Sequence, residues 1–178
     1  MHFFNTKDHF GLIAILFHWI MALLLIGLVI LGLYMTSLPL SAQKLKLYGY
    51  HKELGMLVLF LVMFRLVWRI SNVLPSLASL SAFERIAARS VHWAFYFFMI
   101  TLPITGWLIT SMVGLPISFF GFFIIPVLSP PDENQLALFE NIHTWLAYGL
   151  IVTFSLHVLA ALKHHFINKD DILRRMIS

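Results

Sequence analysis

The chain has 178 residues, 60% of them hydrophobic and 11% charged, with a formal net charge of +4 and no cysteine. A mean hydropathy of +0.88 is far more apolar than a water-soluble domain of this length needs, so the composition predicts an integral membrane protein. The missing cysteines exclude disulfides, thiolate metal sites, iron–sulfur clusters and haem attached through a C-x-x-C-H motif. Nitrogen, oxygen or methionine sulfur must hold any redox centre.

Four stretches are long enough to cross a bilayer core of about 30 Å, which takes about 20 helical residues. The first, Leu12–Met35, carries no charge. It is too long for the apolar core of a signal peptide and no small-x-small site follows it, so it is expected to stay as an anchor. An outer loop, Thr36–Tyr48, leads to the second helix, about 48–70. There Lys52, Glu53, Arg65 and Arg69 fall near the two interfaces and can snorkel. The connection Ser71–Ser90 contains Pro75 and a run, Leu80–Ala88, that reads as a short interfacial helix. The third helix, about 91–113, holds Pro103 and Gly106 in "LPITGW", which predicts a kink or close packing on a neighbour. "LPISFFGFFIIPVLSPPDE" follows, apolar but too broken by proline and glycine to span. It is expected to lie over the outer end as a lid or to dip into the interface. The fourth helix runs about 138–166. The expected fold class is all-α: one domain over 1–178, a four-helix transmembrane bundle.

Basic residues set the orientation. Lys7, Arg65, Arg69, Arg85, Arg89, Lys163, Lys169, Arg174 and Arg175 fall on the side of the termini, against only Lys44, Lys46 and Lys52 on the other. Both termini are therefore expected in the cytoplasm. The basic balance reflects topology, and no basic stripe interleaved with exposed aromatics suggests a nucleic-acid partner.

The chain spreads nine histidines along this pattern. His2 and His9 belong to a polar tail and are expected to be solvated. The rest need an account, because ionisable side chains inside a membrane span are costly and usually functional. His51 and His143 fall near the outer face and form one pair. His157, nearer the cytoplasm, meets His18 or His92. His18 matches its depth better and is the preferred partner. On one helix, His143 and His157 point within about 40° of each other and lie about 21 Å apart along the axis. Arg65 and Arg69 share the face of His51 at the cytoplasmic end, placed to hold a propionate. His92, His164 and His165 lie at the boundary, where an interfacial role suits them as well. His164 returns to the face of His157, where a quinone head-group could accept a proton.

Two imidazole pairs at two depths are too far apart to share one metal ion. A zinc site wants four ligands together, although Glu53 and Glu140 near the outer pair leave a metal site there open. A haem supplies four ring nitrogens itself and asks for one or two axial ligands and an apolar slot. Two b-type haems, one near each face, fit the pattern, and bis-histidine ligation points to electron transfer rather than oxygen binding.

The residues that carry a family resemblance are "FHW" in the first helix, "YGYHKELG" opening the second, "FRLVWR" closing it, "LPITGW" in the third, and histidines fourteen apart in the fourth followed by "HH". In this order they resemble the small bacterial di-haem cytochrome b561 proteins, relatives of the cytochrome b subunits of hydrogenases and formate dehydrogenases. The resemblance covers nearly the whole chain. It implies a bacterial inner-membrane protein with one haem between the first and fourth helices (His18, His157) and one between the second and fourth (His51, His143). It also implies exchange of electrons with ubiquinone or another quinone. One branch resembles superoxide oxidase, with superoxide as outer donor. Another serves as the electron-transfer subunit of a larger complex.

Three functions follow. The first is a self-contained oxidoreductase reducing quinone, with Lys44, Lys46 and Lys52 steering a small anion to the outer haem. The second is an electron-transfer subunit docking a redox partner through residues 114–131. The third is a haem-free, histidine-lined metal or proton transporter.

Overall fold

The computed structural model describes residues 3–78 and 80–177, so the expectation for His2 lies outside the described residues. Four long helices run Leu12–Ser37 (α1), Ala42–Ser71 (α2), Ala82–Met112 (α3) and Glu133–Lys163 (α4). All four are long and apolar enough to cross a membrane. Close backbone packing runs α1–α2, α2–α3 and α3–α4. Both chain ends and the 72–81 connection share one end of the bundle, the terminal end. The 38–41 link and the 113–132 segment share the far end.

Local chemistry moves three boundaries from their expected places. α2 starts at Ala42, not near 48, because Ser41 caps it by accepting from Lys44 N at 3.2 Å. The outer loop shrinks to four residues, Leu38–Ser41. Leu80–Ala88 is no separate interfacial helix. Ser81 and Glu84 make a capping box, so this run forms the first turns of a continuous α3. α4 begins at Glu133, where Asp132 accepts from Asn134 N and Gln135 N.

One element departs from an all-helical chain. After α3, Ile117–Phe119 (β1) pairs antiparallel with Phe123–Ile125 (β2). Phe120 and Gly121 turn the hairpin with φ of 50° and 77°, the positive pair that primed turns require. Ile117 and Ile125 bury against Met56 of α2, and Trp107 of α3 donates to Pro126 O at 2.8 Å. Phe122 (84% exposed) and Ile124 (69%) point outward. The hairpin thus seals the α2–α3 side with one face and offers an apolar surface with the other.

The main core cluster joins Met21 of α1, Val58 and Val62 of α2, and Tyr96 and Met99 of α3. α4 contributes no buried residue to it and buries only Leu150. At the terminal end α4 passes into a π-helical turn, His164–Asn168, and Lys169 reverses the chain at φ 55°. The tail then returns across the bundle. Arg175 Nη1 donates to Ser76 O at 3.0 Å, and the indole of Trp19 on α1 donates to Met176 O at 2.7 Å.

Candidate functional site

At the far end, His51 of α2 and His143 of α4 face each other with ring centroids 6.3 Å apart, inclined at 71°. Each ring rests against a glycine of a third helix. A Cβ at Gly32 of α1 would meet His51 Cε1 at 3.3 Å, and one at Gly106 of α3 would meet His143 Cε1 at 3.4 Å. The glycine of "LPITGW" therefore serves close packing. Thr105 Oγ1 lies 2.9 Å from His143 Nδ1, whereas His51 Nδ1 is buried without a partner among the described residues.

At the terminal end, His157 of α4 lies 6.1 Å from His18 of α1 and 6.0 Å from His92 of α3, centroid to centroid. Distance does not separate the two candidates, and the helices that carry them pack differently against α4. α3 and α4 close on each other along their seam. A Cβ at Gly149 would strike the Phe98 ring at 2.8 Å, Phe95 meets the His157 ring at 5.3 Å, and Lys163 Nζ pairs with Glu84 Oε1 at 3.1 Å. α1 and α4 are not a closely packed pair, and neither are α2 and α4.

Two cations border the terminal-end imidazoles. Arg65 lies against Met21 Sδ at 3.8 Å and the Tyr96 hydroxyl, within electrostatic reach of His18, His92 and His157. Arg69 sits over the Tyr96 ring at 5.6 Å. Among the described residues neither guanidinium pairs with a carboxylate. A half-buried guanidinium without a counter-ion is costly.

The remaining residues separate by their partners. His164 is buried and occupied: Nδ1 lies 2.6 Å from Asp170 Oδ2 and 3.1 Å from Asn168 Nδ2, and Nε2 lies 4.0 Å from Glu84 Oε1. His165 stays at the boundary beside Phe166, and His9 is exposed. Lys44 Nζ donates to Leu38 O at 2.7 Å and so closes the C-terminus of α1. Lys46 lies over the Tyr50 ring at 5.8 Å, and Lys52 is half-buried beside His51. Sequence reasoning missed Thr105, Gly32, Glu84 and Asp170 as neighbours of the histidines. Only the Ser81-x-x-Glu84 box had a local signal. Among the described residues no three His, Asp or Glu side chains converge closely enough to hold a metal ion by themselves.

The bundle is long and apolar enough to span a membrane and sets imidazole clusters at its two ends. A family profile described as prokaryotic cytochrome b561 matches residues 9–178. The chain is 37% identical to cytochrome b561 homolog 2 of Escherichia coli (strain K12) over 99% of its length and 95% of that protein's. It is 33% identical to cytochrome b561 homolog 1 of the same organism over 77% of this chain and 78% of that one. It is 30% identical to a probable superoxide oxidase, CybB, of Yersinia pestis over 71% and 72% of the two chains. The chain belongs to the prokaryotic cytochrome b561 family. It is a multi-pass membrane protein of transmembrane electron transfer, in a family that uses b-type haem.

Proposed function

We propose that the chain binds two b-type haems, His18 with His157 and His51 with His143, and carries electrons from an outer-side donor to membrane quinone. The observation that carries this reading is the geometry of the two pairs. A metal bound at about 2 Å to each of two imidazole nitrogens, with each ring centre about 1 Å beyond, sets the centroids about 6 Å apart. The pairs measure 6.1 and 6.3 Å, and both bridge helices that are not closely packed. His92 bridges a closed seam, which favours His18 as the ligand.

When bound, each haem supplies a one-electron station near one leaflet. The protein does the rest. His51 and His143 would hold the far-end haem, and Gly32 and Gly106 let their rings seat without obstruction. Arg65 and Arg69 receive the propionates at the terminal end. His92, half-buried beside both arginines, would donate to the same propionates or to a quinone oxygen. His164, polarised by Asp170, would give one of the two protons that two-electron reduction of a quinone to quinol consumes at the cytoplasmic face, and is reprotonated from water for the second. Lys46 and Lys52, with Lys44 behind them, draw an anionic donor such as superoxide to the far end. The positive-inside count puts that end outside and both termini in the cytoplasm of the inner membrane.

The test is a reduced-minus-oxidised absorption spectrum with a haem count per chain. Two low-spin b-type haems are expected, followed by quinone reduction when superoxide is supplied. A colourless, folded protein would overturn the reading. The exposed Phe122–Ile124 face of the hairpin supports a second reading, an electron-transfer subunit docked to a redox partner there. Co-purification of a stoichiometric partner in mild detergent would favour it.

A further inference from the structure

The two imidazoles of the far-end pair have unequal surroundings. Thr105 Oγ1 lies 2.9 Å from His143 Nδ1 and also 2.9 Å from its own helix carbonyl, Leu102 O. A hydroxyl has one proton to give, and a carbonyl can only accept. If the proton goes to Leu102 O, Oγ1 is left as an acceptor, and His143 Nδ1 must be the donor. The opposite assignment turns the lone pairs of two oxygens towards each other at 2.9 Å. The first assignment satisfies all three groups, and the Leu102 carbonyl, which also lies within hydrogen-bonding reach of His143, draws the imidazole proton to the same side. Thr105 is 8% exposed, so no bulk water competes for the bond. The next residue, Gly106, lacks a side chain where a Cβ would stand 3.4 Å from His143 Cε1 and 3.8 Å from Nδ1. Thr105 and Gly106 together hold one edge of the ring, bond on one side and contact on the other. His51 has no such partner at its buried Nδ1 among the described residues.

We propose that Thr105 locks His143 in the Nδ1–H tautomer and strengthens its Nε2 as a ligand, acting as the positioning residue of the far-end iron site. The inference rests on the reading that His143 binds haem iron. A neutral imidazole carries one proton, so holding it on Nδ1 leaves the Nε2 lone pair free for metal. An acceptor at Nδ1–H shifts electron density towards Nε2 and raises the basicity of the ligand. A more basic ligand favours the ferric state, so the Thr105 bond lowers the midpoint potential of the far-end haem. The terminal-end haem, bound through His157 on the same helix, is untouched by it.

The test compares Thr105→Val, which keeps the shape and removes the oxygen, with Thr105→Ser, which keeps the oxygen. Redox titration of the full-length protein should show the far-end potential rising in the Val variant, the other potential unmoved, and the wild-type value regained with Ser. Nitrogen-15 histidine NMR of the reduced, diamagnetic protein gives the second readout. It should show a solvent-protected Nδ1–H on His143 that is lost or fast-exchanging in Val and restored in Ser. If Val does not accumulate, Thr105→Ala carries the same expectations. Unchanged potentials with an unchanged Nδ1–H signal would overturn the proposal, as would a Ser variant that behaves like Val. If the wild type holds no haem, the functional reading fails. The protonated nitrogen of His143 is still read by the same NMR experiment, where an Nε2–H imidazole would sink the tautomer assignment as well.

Discussion

The two histidine tiers are built by different means. The far-end tier is two rings seated by small residues, Gly32, Gly106 and Thr105, with no guanidinium among their contacts. The terminal-end tier crowds three rings, two guanidiniums and two large aromatics, Phe95 and Trp19, into one layer. One tier is shaped by the space around its ligands, the other by the charge around them. If each tier holds a haem, as proposed, their potentials can be set separately, because close packing and charge are independent variables.

Removing ligands should break the comparison most severely. His143→Ala should remove the far-end haem alone and His157→Ala the terminal-end haem alone, each halving the haem count per chain. Arg65→Leu comes next and should act on charge. Loss of a cation stabilises the ferric form, so the terminal-end potential should fall in a redox titration while the far-end value holds. A unit charge at about 8 Å in an effective dielectric of about 20 is worth about 2 kcal/mol. Gly32→Val probes space instead. A branched side chain where a Cβ already meets His51 Cε1 at 3.3 Å overpacks the site. Overpacking costs about 1–3 kcal/mol, to be read as lowered far-end haem occupancy and a lower melting temperature. His92→Ala should do least: both haems should remain if, as proposed, His18 and not His92 is the partner of His157. Loss of a haem in that variant would reverse the assignment of the inner pair.

The bundle was legible because hydropathy reports a span without reference to any partner. Four uncharged or end-charged runs leave little choice where backbone groups have no water to bond. Depth along a helix was equally readable, and it brought His51 to His143 and His157 towards His18 and His92. Depth favours His18 over His92, yet in the fold both rings come within about the same distance of His157. That choice depends on which helices pack closely, a property of pairs of surfaces that no single segment encodes. The start of α3 was misplaced because its polar first turns resemble an interfacial helix, although the Ser81-x-x-Glu84 box marked the true boundary. The hairpin was hidden for another reason. Its residues are apolar on both faces, so no alternation distinguished a strand from a lipid-facing loop. Thr105 was invisible because a threonine two residues after a proline signals nothing until another helix lays an imidazole beside it.

The bond from Trp19 to the carbonyl of Met176 sets an order of events. Trp19 enters the bilayer with the first span, and its acceptor is synthesised only after the fourth. For most of the time that the polypeptide is being inserted, the indole beside His18 has nothing to hold. The layer nearest the chain ends is therefore fastened only once the tail has been made.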